Sequence, residues 1–143
     1  MDIASHIEQA SDGGFIISAT TESYGQGGKD IWLFKTSSSG LIEWNKYIGT
    51  PYDDYSGKVL ETDDGGFILI GSIGSSDQND NDIWLIKTNS QGDSSWTRSY
   101  GGNQFDRGND ILADDQGGFI LLGSTESQGL SLIHISEPTR RYA

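Results

Sequence analysis

The chain has 143 residues, a formal net charge of −12, 20 glycines, 2 prolines and no cysteine. That length bounds it to about one ordinary domain, and the missing cysteine excludes a disulfide framework, a thiolate metal site and a thiol nucleophile. The acidic balance disfavours a nucleic-acid backbone as partner, and no apolar run approaches the ~20 residues of a membrane span.

An internal repeat organises the rest of the reading. Gly13-Gly14-Phe15-Ile16 returns as Gly65-Gly66-Phe67-Ile68 and again as Gly117-Gly118-Phe119-Ile120, each step being 52 residues. Asp30-Ile31-Trp32-Leu33 returns as Asp82-Ile83-Trp84-Leu85, Trp44 as Trp96 and Gly49 as Gly101, and Asp2, Asp54 and Asp106 fall on the same period. The expected organisation is repeat 1 at 1–56, repeat 2 at 57–108, a partial repeat 3 at 109–129 and a separate tail at 130–143.

Repeat 2 shows the elements most clearly, and repeats 1 and 3 copy them. A first strand is predicted near 58–62, closed by the Asp63-Asp64-Gly65-Gly66 turn, of the kind that joins hairpins. A second follows near 66–73, apolar on both faces, as a strand between two neighbouring sheets must be. A polar loop leads to a third near 82–88, and Asn89-Ser90-Gln91-Gly92 turns the chain into a fourth near 95–100. Four antiparallel strands at this period predict an all-β chain of tandem four-stranded propeller-type blades, truncated to about two and a half. Phe67, Leu69, Trp84 and Ile86 are expected to be buried against an adjacent copy. Gly65, Gly66, Phe67, Trp84, Trp96, Asp54 and Asp106 are the structural repeat positions. Trp32, Trp84, Trp44 and Trp96 read as packing residues before sugar-stacking platforms.

Both ends read as cut. Met1 falls opposite Asp53 and Phe105, inside the connection that enters a copy, with no basic-then-apolar export signal before it. At the other end the repeat match stops at Gly129, and where Asp-Ile-Trp-Leu is due the chain reads His134-Ile135-Ser136-Glu137. The run Leu130-Ser131-Leu132-Ile133-His134-Ile135-Ser136-Glu137-Pro138-Thr139-Arg140 resembles one reading frame of a transposon-end adapter used in sequencing libraries. The tail at 130–143 is therefore expected to be foreign to the repeat.

The joint pattern Asp-Gly-Gly-Phe-Ile-x-x-Gly-Ser, Asp-Ile-Trp-Leu-x-Lys-Thr, then Gly, Trp and Tyr-Gly-Gly-x-x-x-Asp is similar to propeller repeats of secreted and surface proteins of bacteria and archaea. The likeness spans residues 2–129. Repeat 1 departs from it mildly, with Ala19 in place of the strand glycine and Thr50-Pro51 after Gly49. The resemblance implies a non-catalytic scaffold, extracellular or attached to the cell envelope, and it transfers no catalytic residue.

The candidate chemistry is sparse. Before the tail the only histidine is His6, whose repeat equivalents are Lys58 and Asp110, so no Ser-His-Asp set is visible. Asp53-Asp54, Asp63-Asp64 and Asp114-Asp115 read as turn chemistry, since Asp bonds nearby backbone and Gly accepts positive φ. Asp2, Asp54 and Asp106 are expected to hold backbone N–H groups of the connections between copies. Asp77, Asn79 and Asn81 offer oxygens at alternate positions, as a Ca²⁺ loop does, but the glycine at position 6 and the acid at position 12 are missing. Repeat 1 has Gly25, Gly27 and Lys29 there, so Ca²⁺ is a weak candidate and no other cofactor is expected. Gly25-Gln26-Gly27-Gly28 opens no helix and is no phosphate cradle.

The function expected is a non-enzymatic surface or secreted propeller that presents variable loops to a protein or glycan. Those loops are 21–29 against 74–81 and 50–56 against 102–108, and further blades of a parent chain are implied partners. The alternatives are an enzyme whose catalytic groups lie on other blades, and a structural spacer without a ligand.

Overall fold

The computed structural model describes residues 1–126 and the backbone of one further strand, Gly129–Ile135. The described residues are all-β, with no helix and therefore none long and apolar enough to cross a membrane. The strands are β1 Ile3–Gln9, β2 Phe15–Thr21, β3 Asp30–Thr36 and β4 Ile42–Ile48, then β5 Tyr55–Glu61, β6 Phe67–Ile73, β7 Asp82–Thr88 and β8 Ser94–Tyr100, then β9 Asp106–Ala113, β10 Phe119–Thr125 and β11 Gly129–Ile135. They form three antiparallel sheets in sequential order: β1-β2-β3-β4, β5-β6-β7-β8 and a three-stranded β9-β10-β11.

The turns follow from local chemistry. Gly13, Gly65 and Gly117 adopt φ of 85°, 79° and 80° between the first and second strands of each sheet, a left-handed conformation that glycine accepts without steric cost. The preceding aspartates close the same turns, Asp12 and Asp64 each accepting the backbone N–H of the residue two positions on.

The sheets pack face to face in an open row. Ile16, Ile31 and Leu33 of the first sheet meet Val59, Phe67, Leu69, Trp84 and Ile86 of the second. Its opposite face, Ile68, Ile70, Ile83 and Leu85, meets Ile111, Phe119 and Leu121 of the third. The central strands β6 and β7 thus have neighbours on both faces, which is why their sequences are apolar throughout. All four residues expected to be buried against an adjacent copy are so, Phe67, Leu69, Trp84 and Ile86 being 2%, 0%, 7% and 0% exposed.

Two boundaries differ from the sequence reading. β5 begins at Tyr55, ahead of the strand expected near 58–62, and its copy β9 begins at Asp106, each first strand carrying a β-bulge at the same place. The third strand of the last sheet also arrives early. Phe15 pairs with Thr36 and Phe67 with Thr88, but Phe119 pairs with Ile135 rather than with a residue 21 positions on. A Leu- and Ile-rich run beside the open edge of β10 suffices for pairing, with or without the repeat motif. The rest of the tail, 136–143, lies outside the described residues, as do 127–128.

Candidate functional site

Alternating strand direction sends the second-to-third-strand loops and the connections between sheets to one end of the row. The loops that differ between copies are therefore gathered there. Their backbones interlock: Asp54 N–H donates to the Lys29 carbonyl at 2.8 Å, and Asp106 N–H to the Asn81 carbonyl at 2.6 Å. Lys29 N–H donates to Asp53 Oδ1 at 2.9 Å.

The periodic aspartates sit beneath this loop end. Asp54, fully buried, accepts from Thr50 N and Oγ1 and, at 2.8 Å, from Gly74 N. Asp106, also fully buried, accepts from Gly102 N at 2.8 Å, and Asp2 accepts from Thr21 Oγ1 at 2.6 Å and Glu22 N at 3.2 Å. The carboxylates of Asp54 and Asp2 reach the loop beside them, whereas that of Asp106 holds its own connection.

A second set of carboxylates, absent from the sequence reading, meets the first. Asp30 opens β3 and is 1% exposed; its Oδ2 accepts from Gln26 N at 3.0 Å and Gly27 N at 3.2 Å, while Oδ1 is buried without a donor. A Cβ on Gly49 would overlap that Oδ1 and stand 3.0 Å from Asp54 Oδ2, so Gly49 is the spacer over which two carboxylates approach. The second copy repeats this: a Cβ on Gly101 would overlap Asp82 Oδ1 and lie 2.6 Å from Asp106 Oδ2. Asp82 Oδ1 and Asp106 Oδ1 also lack donors. The pairing was findable from the shared period of Asp30/Asp82 and Gly49/Gly101, but not the contact, which needs the loop end to be assembled.

Burial pushes the Asp54 carboxyl up, with Asp30 adding like-charge repulsion, and burial does the same to Asp82 beside Asp80 and Asp106. A raised carboxyl contributes stability that is complete below its ordinary value of 3.8 and is lost as pH rises through the raised value. Asp30→Asn keeps an acceptor for Gln26 and Gly27 and replaces the orphan oxygen with an N–H donor facing Asp54. We expect this variant to be more stable at pH 7 by about 1–3 kcal/mol, the scale of satisfying a buried polar group. The gain should shrink towards pH 4, which urea unfolding followed by tryptophan fluorescence measures.

Asp77 and Asn81 each have partners of their own. Asp77 Oδ1 accepts from Asn79 N at 3.0 Å within the turn, and buried Asn81 donates its side-chain amide to the Asp53 carbonyl at 3.4 Å. Among the described residues no three His, Cys, Asp or Glu side chains are grouped to hold a metal ion.

The exposed part of the loop end is aromatic and polar. Tyr24 and Tyr52 are 61% and 43% exposed, and the Tyr24 ring lies tilted at 5.4 Å from that of Tyr47, which stacks on Trp32 at 6.1 Å. Trp84 is buried between sheets, and Trp44 and Trp96 pack against the two inter-sheet clusters, Trp44 lying 5.8 Å from Phe67. Gly65 and Gly66 lie at the opposite end, in the hairpin turn.

A groove of about 570 Å³ runs along the first strands of the three sheets. It brings together the equivalent positions His6, Lys58 and Asp110. Lys58 Nζ is 2.9 Å from Asp110 Oδ1 and holds that carboxyl below its usual range, while His6 Nε2 lies 3.8 Å from Glu8. Lys58 and Asp110 thus join the first strands of neighbouring sheets, whereas His6 and Glu8 lie on one strand. Compared with protein-family models and with curated proteins, the chain matches none.

Proposed function

We propose that the chain is part of a β-propeller, secreted or attached to the cell envelope, that binds a protein or glycan through its loop end and carries no catalysis of its own. The observation that carries this reading is the division of labour within each copy. The strands are consumed by sheet-to-sheet packing, whereas the loops that vary are gathered at one end and fixed from below by buried carboxylates. Rigid scaffold with variable loops suits recognition, and exposed Tyr24 and Tyr52 among Ser, Gln and Asn supply flat apolar area with hydrogen-bonding tips. The net charge of −12 favours cationic partners or neutral glycans over anionic polymers.

A glycan array and a panel of basic and acidic proteins, probed with the purified chain, test this beside hydrolase and lyase assays. Binding that falls at least tenfold in Tyr24→Ala or Tyr52→Ala, without turnover, is the expected result. Turnover that disappears in Asp53→Asn overturns it in favour of an enzyme, and the absence of any binding favours a spacer.

A further inference from the structure

The two carboxylate pairs beneath the loop end share one frame and differ in what neutralises them. In the first copy, Asp30 accepts from Gln26 N and Gly27 N, and Asp54 accepts from Thr50 N, Thr50 Oγ1 and Gly74 N. Lys29 stands at the same end, its Nζ 3.9 Å from Asp53. The second copy has lost these donors. Asn79, Asp80 and Asn81 replace Gly27, Gly28 and Lys29, and the loop turns its N–H groups on itself. Asp80 N donates to the Asp77 carbonyl and Asn79 N to Asp77 Oδ1, both at 3.0 Å. Among the described residues no hydrogen-bond donor reaches Asp82, and its Oδ1 is buried.

Asp106 is stripped in the same way. The equivalent of Thr50 is Gly102, which has no hydroxyl, and the equivalent of Gly74 is Glu126, whose N–H goes to the Phe105 carbonyl at 3.1 Å. Fully buried Asp106 keeps Gly102 N on Oδ2 and has no donor on Oδ1. Among the described residues no lysine or arginine pairs with Asp80, Asp82 or Asp106. Buried carboxylates with neither donors nor a basic partner call for a cation.

The pair is set to take one. Gly101 leaves open the place where a Cβ would overlap Asp82 Oδ1 and lie 2.6 Å from Asp106 Oδ2. Asp82 is only half-buried, which gives an ion a way in from solvent. The ligands are all oxygen, and Ca²⁺ accepts an irregular set completed by water, whereas Mg²⁺ demands near-ideal octahedral geometry. We propose that Asp82 and Asp106 hold a Ca²⁺ ion in the negative field of Asp80. The ion does for the second copy what Gln26 N, Gly27 N and the Thr50 hydroxyl do for the first, and it ties the start of β7 to the connection after β8. The first copy's pair, already served by its own donors, takes none.

Calorimetric titration of the purified chain with CaCl₂ at pH 7, beside thermal unfolding followed by circular dichroism, reads the site. One ion per chain is expected, with Kd on the order of 10⁻⁴–10⁻³ M because only two carboxylates bind it. The melting midpoint should rise with CaCl₂ but not with NaCl of equal ionic strength. Asp82→Asn should weaken binding at least tenfold and abolish the rise, whereas Asp30→Asn should bind as wild type does. Should Asp82→Asn fail to fold, Asp80→Asn leaves both ligands in place and should weaken binding severalfold. No binding at millimolar Ca²⁺ overturns the proposal, as does an equal response to NaCl, which marks screening of the net charge. Unchanged affinity in Asp82→Asn, or an equal loss in Asp30→Asn, overturns it too. So does a midpoint that moves with pH and ignores Ca²⁺, the behaviour of a pair that shares a proton instead.

Discussion

Asp64→Ala should cost about 3–5 kcal/mol of stability at pH 7, towards the lower end of that range, whereas Lys87→Met should cost little. The asymmetry comes from where the two charges lie. Lys87 is 2% exposed, and its Nζ donates to Asp64 Oδ1 and Oδ2 at 3.1 and 3.0 Å and to the Thr88 carbonyl at 2.9 Å. Removing Asp64 strands a desolvated ammonium with only that carbonyl, while removing Lys87 leaves a carboxylate that is largely in water. Methionine also fills the stem's volume with apolar atoms. The sign with pH is fixed by the Asp64 carboxyl. Burial alone would raise it, but donation from Thr62, Gly66 and Lys87 outweighs burial and holds it at about 2. Its stabilisation is present above 3.8 and is lost as pH falls from there towards 2, so the gap between wild type and Asp64→Ala should narrow in acid. Urea unfolding at pH 7 and pH 2.5 checks both statements, and a Lys87→Met loss equal to that of Asp64→Ala would show that the pair itself, rather than the stranded charge, supplies the stability. Lys35 with Asp12 at 2.8 Å repeats the arrangement in the first sheet.

The strands and their faces were legible because two periods coincide in this sequence: alternation within a strand and 52 residues between copies. Apolar runs such as Phe67-Ile68-Leu69-Ile70 announce a strand covered on both sides, and Asp-Gly-Gly announces the turn before it. The polar contacts were less legible. Asp63-Asp64 could be read as a turn, but the reach of Lys87 back across the hairpin depends on the antiparallel register that sets β6 beside β7. Asp30 and Asp54 are 24 positions apart and meet only because a loop and a connection end at the same place. The strand Gly129–Ile135 was not legible, because the chain departs from the repeat there. Backbone pairing at an open edge asks for extended, apolar residues and is indifferent to the motif they come from.

The chain also contains its own control for what a neighbouring sheet is worth. Trp84 and Trp32 occupy the same motif, Asp-Ile-Trp-Leu, at the same position in the third strand, and each pairs across its own sheet with the second strand, at Gly71 and Ala19. They differ in what lies over them. Trp84 is 7% exposed between the first and second sheets, whereas Trp32 is only partly covered, by Phe34 at 4.6 Å and Tyr47 at 6.1 Å of its own sheet. Trp84→Ala should therefore remove about 3–5 kcal/mol, combining lost transfer energy with a cavity that the flanking sheets cannot fill. Trp32→Ala at the same dilute concentration should remove less than half of that, because solvent fills the space and no cavity forms. Paired urea titrations of the two variants measure this. Equal losses under dilute conditions would mean that the tryptophan acts within its own sheet, and that the stability of the row does not come from stacking one copy on the next.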